Sequence, residues 1–520
     1  MISAKTRVAV ISAALLALFL GALDALIVTA AMPTIASELG GLSQYSWVYS
    51  AYFLARAVSL PLFGKLADKY PNKVLFNTAI SIFIAASVMA GAAGNMGFLI
   101  FSRAVQGIGS GGIFALVYIV LSDIAEPEAR GRLISVASSI WGIASVLGPS
   151  MGGFMVTYMS WRWIFWINIP LGLLSLIGIA LFSVDVREKR KESTLDWAGA
   201  AVLSMTILSL LTVFLIGGRA YAWTSPQILS LSIFSALLIA GFYHVEKQAD
   251  DPILSVDFFR IHGFRTGNSA VFWSSFAIFS LFAYAPLFVQ GALNKTPMEV
   301  GMAMLSLSLG WSLGSLGLGQ VLHRLGKRIA AGAGGMFLVA GSGWTLLFSP
   351  TTSMTACFSA FFLAGIGMGF VTLSTLIVVQ ESLETADLGV ATASHQFSRT
   401  LGGTVGVGVC GGLVTGRLST ALDHFSQTAH AANTSPEIIG QLSKNMETFF
   451  QPEMQSHLSE SLQVVLRQAI SHGVSTVFAA VLAASILCLI CCTLLPTDSI
   501  RVKEEKSKLG KKSVCKEVSD

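Results

Sequence analysis

Charge is what this chain has least of. Asp, Glu, Lys and Arg together make up 12% of 520 residues, against 53% hydrophobic, and the mean hydropathy is +0.70. An ordinary soluble domain carries about twice that share of charge, so a water-facing globular fold is excluded and a bilayer is the expected solvent. Cysteine is scarce as well. Cys357, Cys410, Cys488, Cys491 and Cys492 sit in apolar runs and Cys515 in a basic tail, which gives no disulfide framework. Cys491 and Cys492 are read as lipid-facing filler. There is no phosphate-cradling Walker loop, and no His, Cys and carboxylate cluster at metal-ligand spacing. ATP drive, a metal or any other cofactor is therefore not expected, and no catalytic set marks an enzyme. No polar stretch before residue 417 is long enough for a soluble domain.

What the chain has in abundance is apolar runs of membrane-spanning length, about 20 residues each. Roughly fourteen are predicted, starting near residues 8, 46, 74, 97, 132, 163, 197, 226, 266, 298, 329, 354, 387 and 470. The first is too long for a cleaved leader and carries an acid at Asp24. A net charge of +5 would suit a nucleic-acid partner, but the basic residues sort by membrane side instead. With the N-terminus inside, Lys5, Arg7, Lys65, Lys69, Lys73, Arg130, Arg132, Arg187–Lys191, Lys247, Arg260, Arg265, Arg324, Lys327, Arg328 and the tail cations share one side. An excess of this kind marks the cytoplasmic face, so both termini are predicted in the cytoplasm and the chain in the plasma (inner) membrane. The longer connections are 185–196, 246–265 and a polar external segment over 417–467. Periodic apolar residues in Ile438–Phe450 and Leu458–Ile470 suggest short amphipathic helices in that segment, as a solvated loop or as a lid.

The chain repeats itself. At a shift of 258 residues, Gly107, Gly109 and Gly111 fall on Gly365, Gly367 and Gly369, Asp123 on Glu381, Gly131 on Gly389, Gly148 on Gly406 and Gly153 on Gly411. At a shift of 255, GKLADKYPNK (64–73) falls on GQVLHRLGKR (319–328). Shifts this large need two extra spans between the halves, which 197–217 and 226–246 supply. The predicted organisation is an N-terminal six-helix bundle (1–185), a linker with two extra helices (186–250), a C-terminal six-helix bundle (251–496) and a cytoplasmic tail (497–520), with a site at the midplane between two parallel halves.

The halves differ in their charges. Asp24 falls opposite Phe282 and Arg103 opposite Phe361, so proton chemistry is expected in the first half. An acid at mid-helix in hydrocarbon costs about 2.5–3.5 kcal/mol on insertion scales. Asp24 is accordingly read as a proton site, or else as a structural carboxylate paired to a neighbour. At 1.5 Å per residue Asp24, Arg56 and Arg103 lie within roughly 6 Å in depth, so they could share one pocket, with Arg56 contacting substrate or pairing internally. Arg399, with Gln396 and His395, forms a further in-membrane cluster lining the far wall or serving structure. Glu381, Glu384 and Asp387 are placed on a cytoplasmic loop face, and Tyr52, Trp141, Trp273, Phe276, Tyr284 and Gln290 as cavity liners.

Four stretches carry a family pattern: Gly64-Lys-Leu-Ala-Asp68-Lys-Tyr-Pro-Asn-Lys73, Arg103-Ala-Val-Gln-Gly107-Ile-Gly109, Gly148-Pro149-Ser-Met-Gly152-Gly153, and Leu23-Asp24 with Pro33 taken together with Trp161-Arg-Trp-Ile-Phe-Trp-Ile-Asn168-Ile-Pro170. Together they resemble the major facilitator superfamily, and within it the fourteen-span drug:proton antiporter branch. Two positions depart from the pattern: Pro71 replaces the usual second glycine of the first loop, and Arg56 stands where a small uncharged residue is usual. The resemblance implies an all-α membrane protein with two six-helix bundles and two extra transmembrane helices, exporting amphipathic compounds in exchange for protons by alternating access. It assigns proton coupling to Asp24 and Arg103, and gating to Gly64, Asp68, Lys69, Lys73, Asp123, Gly148, Pro149, Gly152 and Gly153. In that role Asp68 accepts from exposed N–H groups of a facing helix, and the glycine–proline segment of the fifth span seals the halves. The implied partners are the lipid bilayer, a small amphipathic substrate and protons, with a monomer as the working unit. The alternatives are an exporter of one anionic or lipid-like molecule, which Arg56 favours, and a membrane sensor that transports nothing.

Overall fold

The computed structural model describes residues 4–39, 45–183, 196–217, 221–249, 252, 255–295, 297–426 and 460–497. Most of the 185–196 linker, the greater part of the 417–467 segment, including Ile438–Phe450, and nearly all of the 497–520 tail lie outside them. The chain is helical throughout the described residues, where the one β contact is an isolated bridge between Gly217 and Tyr221.

The first half holds α1 (Ala4–Leu39), α2 (Tyr45–Lys69), α3 (Asn72–Gly91), α4 (Met96–Ile124), α5 (Pro127–Tyr158), the single turn α6 (Trp163–Trp166) and α7 (Asn168–Phe182). Next come α8 (Trp197–Ile216) and α9 (Pro226–Gln248). The second half holds α10 (His262–Leu287), α11 (Pro297–Leu325), α12 (Lys327–Thr345), α13 (Met354–Ser382), α14 (Leu388–Ser426) and α15 (Glu460–Thr493). Among the described residues ten helical stretches are long and apolar enough to cross a membrane, α6 and α7 counting as one. Helices α2, α5, α12 and α14 fall short of that mark. They lie at four of the predicted span positions but carry more charge, polar side chains or glycine.

Caps set several of these boundaries. Asn95 accepts from the Phe98 amide at the start of α4, Asp196 from Gly199 at α8, and Ser225, followed by Pro226, from Ile228 at α9. Each satisfies an amide that the first turn leaves without a helical partner. Pro286 sits inside α10, and just beyond it the helix widens into a π turn over Phe288–Ala292. The turn between α2 and α3 places Pro71 at φ −57°, while its repeat mate Gly326 between α11 and α12 has φ 80°, which proline cannot adopt. The two loops therefore turn differently, as the Pro71 departure foretold.

The internal repeat is visible in the packing. A Cβ on Gly107 would collide with the Tyr52 carbonyl, and one on Gly365 with that of Leu307, which is Tyr52's repeat mate. Gly109 lies against Ala79 and Phe83, Gly367 against their mates Gly334 and Leu338. Glycine recurs at these positions because two helix backbones touch there.

The halves meet along two equivalent seams toward one end, called basal here because α1 begins at it. In one seam Gly64 of α2 lies on Ala393 and Gly389 of α14; in the other Gly319 of α11 lies on Ser135 and Gly131 of α5. Between the seams Ser122 of α4 and Gln380 of α13, themselves repeat mates, hydrogen-bond to each other at 3.0–3.2 Å. Helix α8 packs over the α2–α14 seam, with Leu203, Ile207 and Leu211 beside Leu54, Ala57, Phe397 and Leu401.

In this conformation Gly148 packs on Leu26 and Ile27 of α1, inside its own half, and Gly153 has open space beside it; Gly131, Ser135, Ser139 and Gly142 of α5 contact the other half. One expectation is corrected. Cys492 is fully buried against Cys488 and not lipid-facing.

Candidate functional site

Asp24 lies in the middle of α1 with no solvent exposure. Three neighbours donate to its carboxylate. Arg103 Nη1 of α4 reaches Oδ2 at 2.6 Å, while Gln106 Nε2 of α4 and Asn168 Nδ2 of α7 both reach Oδ1 at 2.9 Å. Ser87 of α3 accepts from the same two amides at 2.8 and 3.2 Å and donates to the Phe83 carbonyl. Four helices of one half therefore close around one acid. Arg103 and Gln106 share a face of α4 because they are one turn apart, and Gln106 Oε1 also accepts from Arg103 at 2.6 Å. Asn168 reaches in because α7 begins at it, after the break that follows α6.

The pairing offsets the cost of burying the anion. Breaking such a pair from one side costs about 3–5 kcal/mol, because the partner is left charged in a low dielectric. Arg103 is nonetheless incompletely served: its Nε and Nη2 are buried with no hydrogen-bond partner. Its guanidinium instead stands 4.1 Å over the Tyr52 ring and 5.8 Å from that of Phe165. Tyr52 is fixed in turn by Ser110 at 2.7 Å and the Gly21 carbonyl. Arg103 therefore has spare donors and aromatic rings at hand beside its ion pair with Asp24.

A second polar contact lies at the basal end. Asp68, in the last turn of α2, accepts from the backbone amides of Gly389 at 2.9 Å and Val390 at 3.1 Å, the first residues of α14. A helix N-terminus leaves these amides unsatisfied and carries positive dipole charge, so a carboxylate from the other half is well placed there. Nearby Asp123 accepts from Asn72 at 3.0 Å, and their repeat mates Glu381 and Lys327 form an ion pair. Among the described residues no group of three or more His, Cys, Asp or Glu stands close enough to hold a metal ion.

Residues 14–407 match the Major Facilitator Superfamily. The chain belongs to that family. Among its relatives are two Bacillus subtilis proteins. Multidrug transporter protein MdtP is 32% identical over 493 residues, covering 91% of this chain and 90% of its own, and Multidrug resistance protein 3 is 29% identical over 497 residues, covering 94% of each. Two solved structures share the fold at 14% identity. One is the human organic anion transporter MFSD10, with TM-score 0.62 over 92% of this chain and 99% of that one. The other is a bacterial homologue of the human lysosomal transporter Spinster, inward-facing and unoccupied, with TM-score 0.56 over 95% and 98%. This major facilitator is an integral membrane transporter with multidrug efflux relatives, and not an enzyme.

Of the predicted site residues, the structure brings together Asp24, Arg103 and Tyr52, and separately Gly64 and Asp68. Arg56 is buried with its guanidinium 3.7 Å over the Phe114 ring and interacts with Tyr52, whose hydroxyl bonds the Gly21 carbonyl one turn from Asp24. Phe276 and Tyr284 pack in the core of the second half, and the Tyr284 hydroxyl donates to the Val407 carbonyl at 2.7 Å. Trp273 packs on that same core beside Phe272 and Phe276, and Gln290 lies half-buried in the π turn. Gln396 and Arg399 adjoin on α14, and His395 bonds Thr375 of α13 at 3.0 Å. Asp387 is buried and not on a loop face. Lys69 and Lys73 are half-buried at the basal turn, and Gly152 is buried in α5. The side chains of Trp141 and Pro149 lie outside the described residues. Sequence reasoning passed over Gln106, Asn168 and Ser87, although the first two stand in motifs it quoted.

Proposed function

We propose that this major facilitator is a proton-coupled exporter of amphipathic compounds, a member of the fourteen-span drug:proton antiporter branch. It works by alternating access as a monomer in the plasma membrane, with both termini in the cytoplasm. The observation that carries the proposal is the Asp24 cluster: an acid with no exposure, held by Arg103, Gln106 and Asn168 inside one half of the bundle. An ionisable group buried inside a membrane bundle marks a functional site by default, and a proton relay is one of its recurring roles. The multidrug relatives support the substrate class.

In this cycle the basal end, taken as cytoplasmic, is closed in the present conformation by Asp68 on α14 and by the two glycine seams. A proton from outside reaches Asp24 and releases Arg103 toward Tyr52, and substrate leaves. The neutralised site then permits the basal seams to part. Inside, Asp24 returns its proton as new substrate binds, and the Arg103 pair re-forms.

The test uses the purified protein in liposomes with a pH-sensitive dye in the lumen and an imposed proton gradient. Adding amphipathic substrates should trigger proton movement in the wild type and none in Asp24→Asn. Equal proton movement in both proteins would refute the assignment of Asp24.

A further inference from the structure

Next to Tyr52, a second group of positive charge and hydrogen-bond donors collects between the halves. Arg56 comes from α2 and Arg399 from α14, and they are only 6% and 4% exposed. The two helices run in opposite directions past the contact of Gly64 with Ala393. At 1.5 Å per residue Arg56 and Arg399 stand about 12 and 9 Å from that contact toward the other end, so they share a depth. Each lies on an aromatic face, Arg56 on Phe114 at 3.7 Å and Arg399 on Trp311 at 5.0 Å. The two like charges are within electrostatic reach of each other, and Tyr118 interacts with both.

Two neutral donors in the same place are unsatisfied. Gln396 turns its Oε1 toward Arg399 Nη1 at 3.5 Å, because a guanidinium offers only donors. That leaves Gln396 Nε2 buried with no partner, and Trp311 Nε1 is in the same condition. The Asp24 carboxylate does not serve this group, since Arg103, Gln106 and Asn168 take both of its oxygens. Buried donors without acceptors are costly. Two guanidinium groups and two free N–H donors, contributed by α2, α11 and α14, are complementary to an anion and opposed to a cation.

We infer that Arg56, Arg399, Gln396 and Trp311 form a subsite for the anionic head of an amphipathic substrate, a carboxylate, sulfonate or phosphate, with the aromatic faces of Phe114 and Trp311 beside its apolar body. The inference rests on the export reading and narrows its substrate class. An anion here bridges one arginine from each half, so its binding favours conformations in which α2 and α14 stay close.

The experiment measures binding to the full chain in lipid nanodiscs by equilibrium dialysis, corrected for empty discs. The probes are radiolabelled derivatives of one steroid skeleton bearing a sulfonate, a carboxylate, a neutral amide or a trimethylammonium group. Wild type should prefer the two anions over the neutral and cationic members by tenfold or more. Arg56→Gln and Arg399→Gln should each erase most of that preference, whereas the corresponding lysine variants retain part of it. Gln396→Glu, which sets a carboxylate beside Arg399, should invert the preference toward trimethylammonium. It also keeps the test decisive if an arginine variant fails to fold. Preference for the cation in wild type, or a preference unmoved by Gln396→Glu and the arginine variants, would overturn the inference. If no steroid anion binds while ethidium is carried in liposomes, the subsite is overturned and the export reading stands. If no amphiphile of any charge is bound or carried, the export reading itself fails, and the subsite with it.

Discussion

Replacing Asp68 with asparagine keeps the volume of the side chain and removes its charge from the start of α14. In the wild type two backbone amides of the other half donate to that carboxylate, at 2.9 and 3.1 Å, in a position 2% exposed. Hydrogen bonds to a charged group are worth about 1.5–3 kcal/mol each and neutral ones about 1. A carboxylate at a helix N-terminus adds roughly 0.3–1 kcal/mol through the dipole. Asparagine can still accept one bond, so the variant should lose at least about 2 kcal/mol of the contact that holds the basal seam. At 1.4 kcal/mol per tenfold that is a rise of roughly 30-fold or more in the fraction of molecules with the basal end parted. The reporter is a single cysteine at Ser135, buried on the other seam against Gly319, in a chain stripped of its native cysteines. Its alkylation by a maleimide requires opening, so the rate should rise by a similar factor in Asp68→Asn. Gly64→Val, which forces a side chain into Ala393 and the Gly389 carbonyl, should raise it too. An unchanged rate in Asp68→Asn, alongside an accelerated one in Gly64→Val, would show that the seam is held by glycine packing and that the Asp68 contact adds nothing to it.

Gly107→Ala and Gly365→Ala should each lower the melting temperature of the purified protein, since a new methyl meets a backbone carbonyl in both and overpacking costs about 1–3 kcal/mol. Gly153→Ala, with open space beside it, should leave the melting temperature unchanged. Asn168→Ala should destabilise by about 1–3 kcal/mol, because Asp24 loses a donor at a position with no solvent exposure, and the same thermal assay reads it. At the end opposite the basal seams, Glu38 accepts from Arg162 at 2.6 Å and from the Trp161 ring nitrogen at 2.7 Å, which holds its carboxyl below the ordinary value of 4.5, the Arg162 hydrogen bond being the larger cause. Its stabilising effect is therefore complete above pH 4.5 and lost as the pH falls through the lowered value. Melting curves of wild type and Glu38→Gln should differ at neutral pH and converge in acid.

Helix placement was legible because spanning runs must be both apolar and about 20 residues long, and the repeat because backbone contact admits little besides glycine. Depth along a helix was legible too, which is why Asp24 and Arg103 could be matched. Depth is one coordinate of three, however. Arg56 sits over the Phe114 ring, and nothing in a hydropathy pattern gives the rotation about the α2 axis that places it there. Gln106, Asn168 and Ser87 escaped because uncharged polar residues barely disturb an apolar run. The one local clue was the single-turn spacing of Arg103 and Gln106, which places them on one face. The core packing of Phe276 and Tyr284 was not legible, because their burial depends on α14 and α15, elements far away in the sequence.

The two seams show where the repeat constrains the chain and where it does not. Their backbones match: Gly64 meets Ala393 as Gly319 meets Ser135. Their chemistry differs. The α5–α11 seam carries serines, with Ser139 and Ser312 exchanging weak hydrogen bonds to each other's carbonyls at 3.5 Å. The α2–α14 seam carries Asp68 on the α14 amides, Arg56 and Arg399 farther along, and α8 laid over its outer side. Close helix contact restricts residue size at the seam and leaves charge free to diverge beside it. The asymmetry therefore has a mechanical consequence: parting the α2–α14 seam must break charge-assisted contacts and shear the α8 packing, while parting the α5–α11 seam breaks mostly van der Waals contact. The cost of opening the basal end should be set by the α2–α14 seam, and releasing Asp68 frees both seams together. Cysteines at Ser135 and at its repeat mate Ala393 should then label at equal rates, both faster in Asp68→Asn, and a faster Ser135 alone would mean that the α5–α11 seam parts without the other.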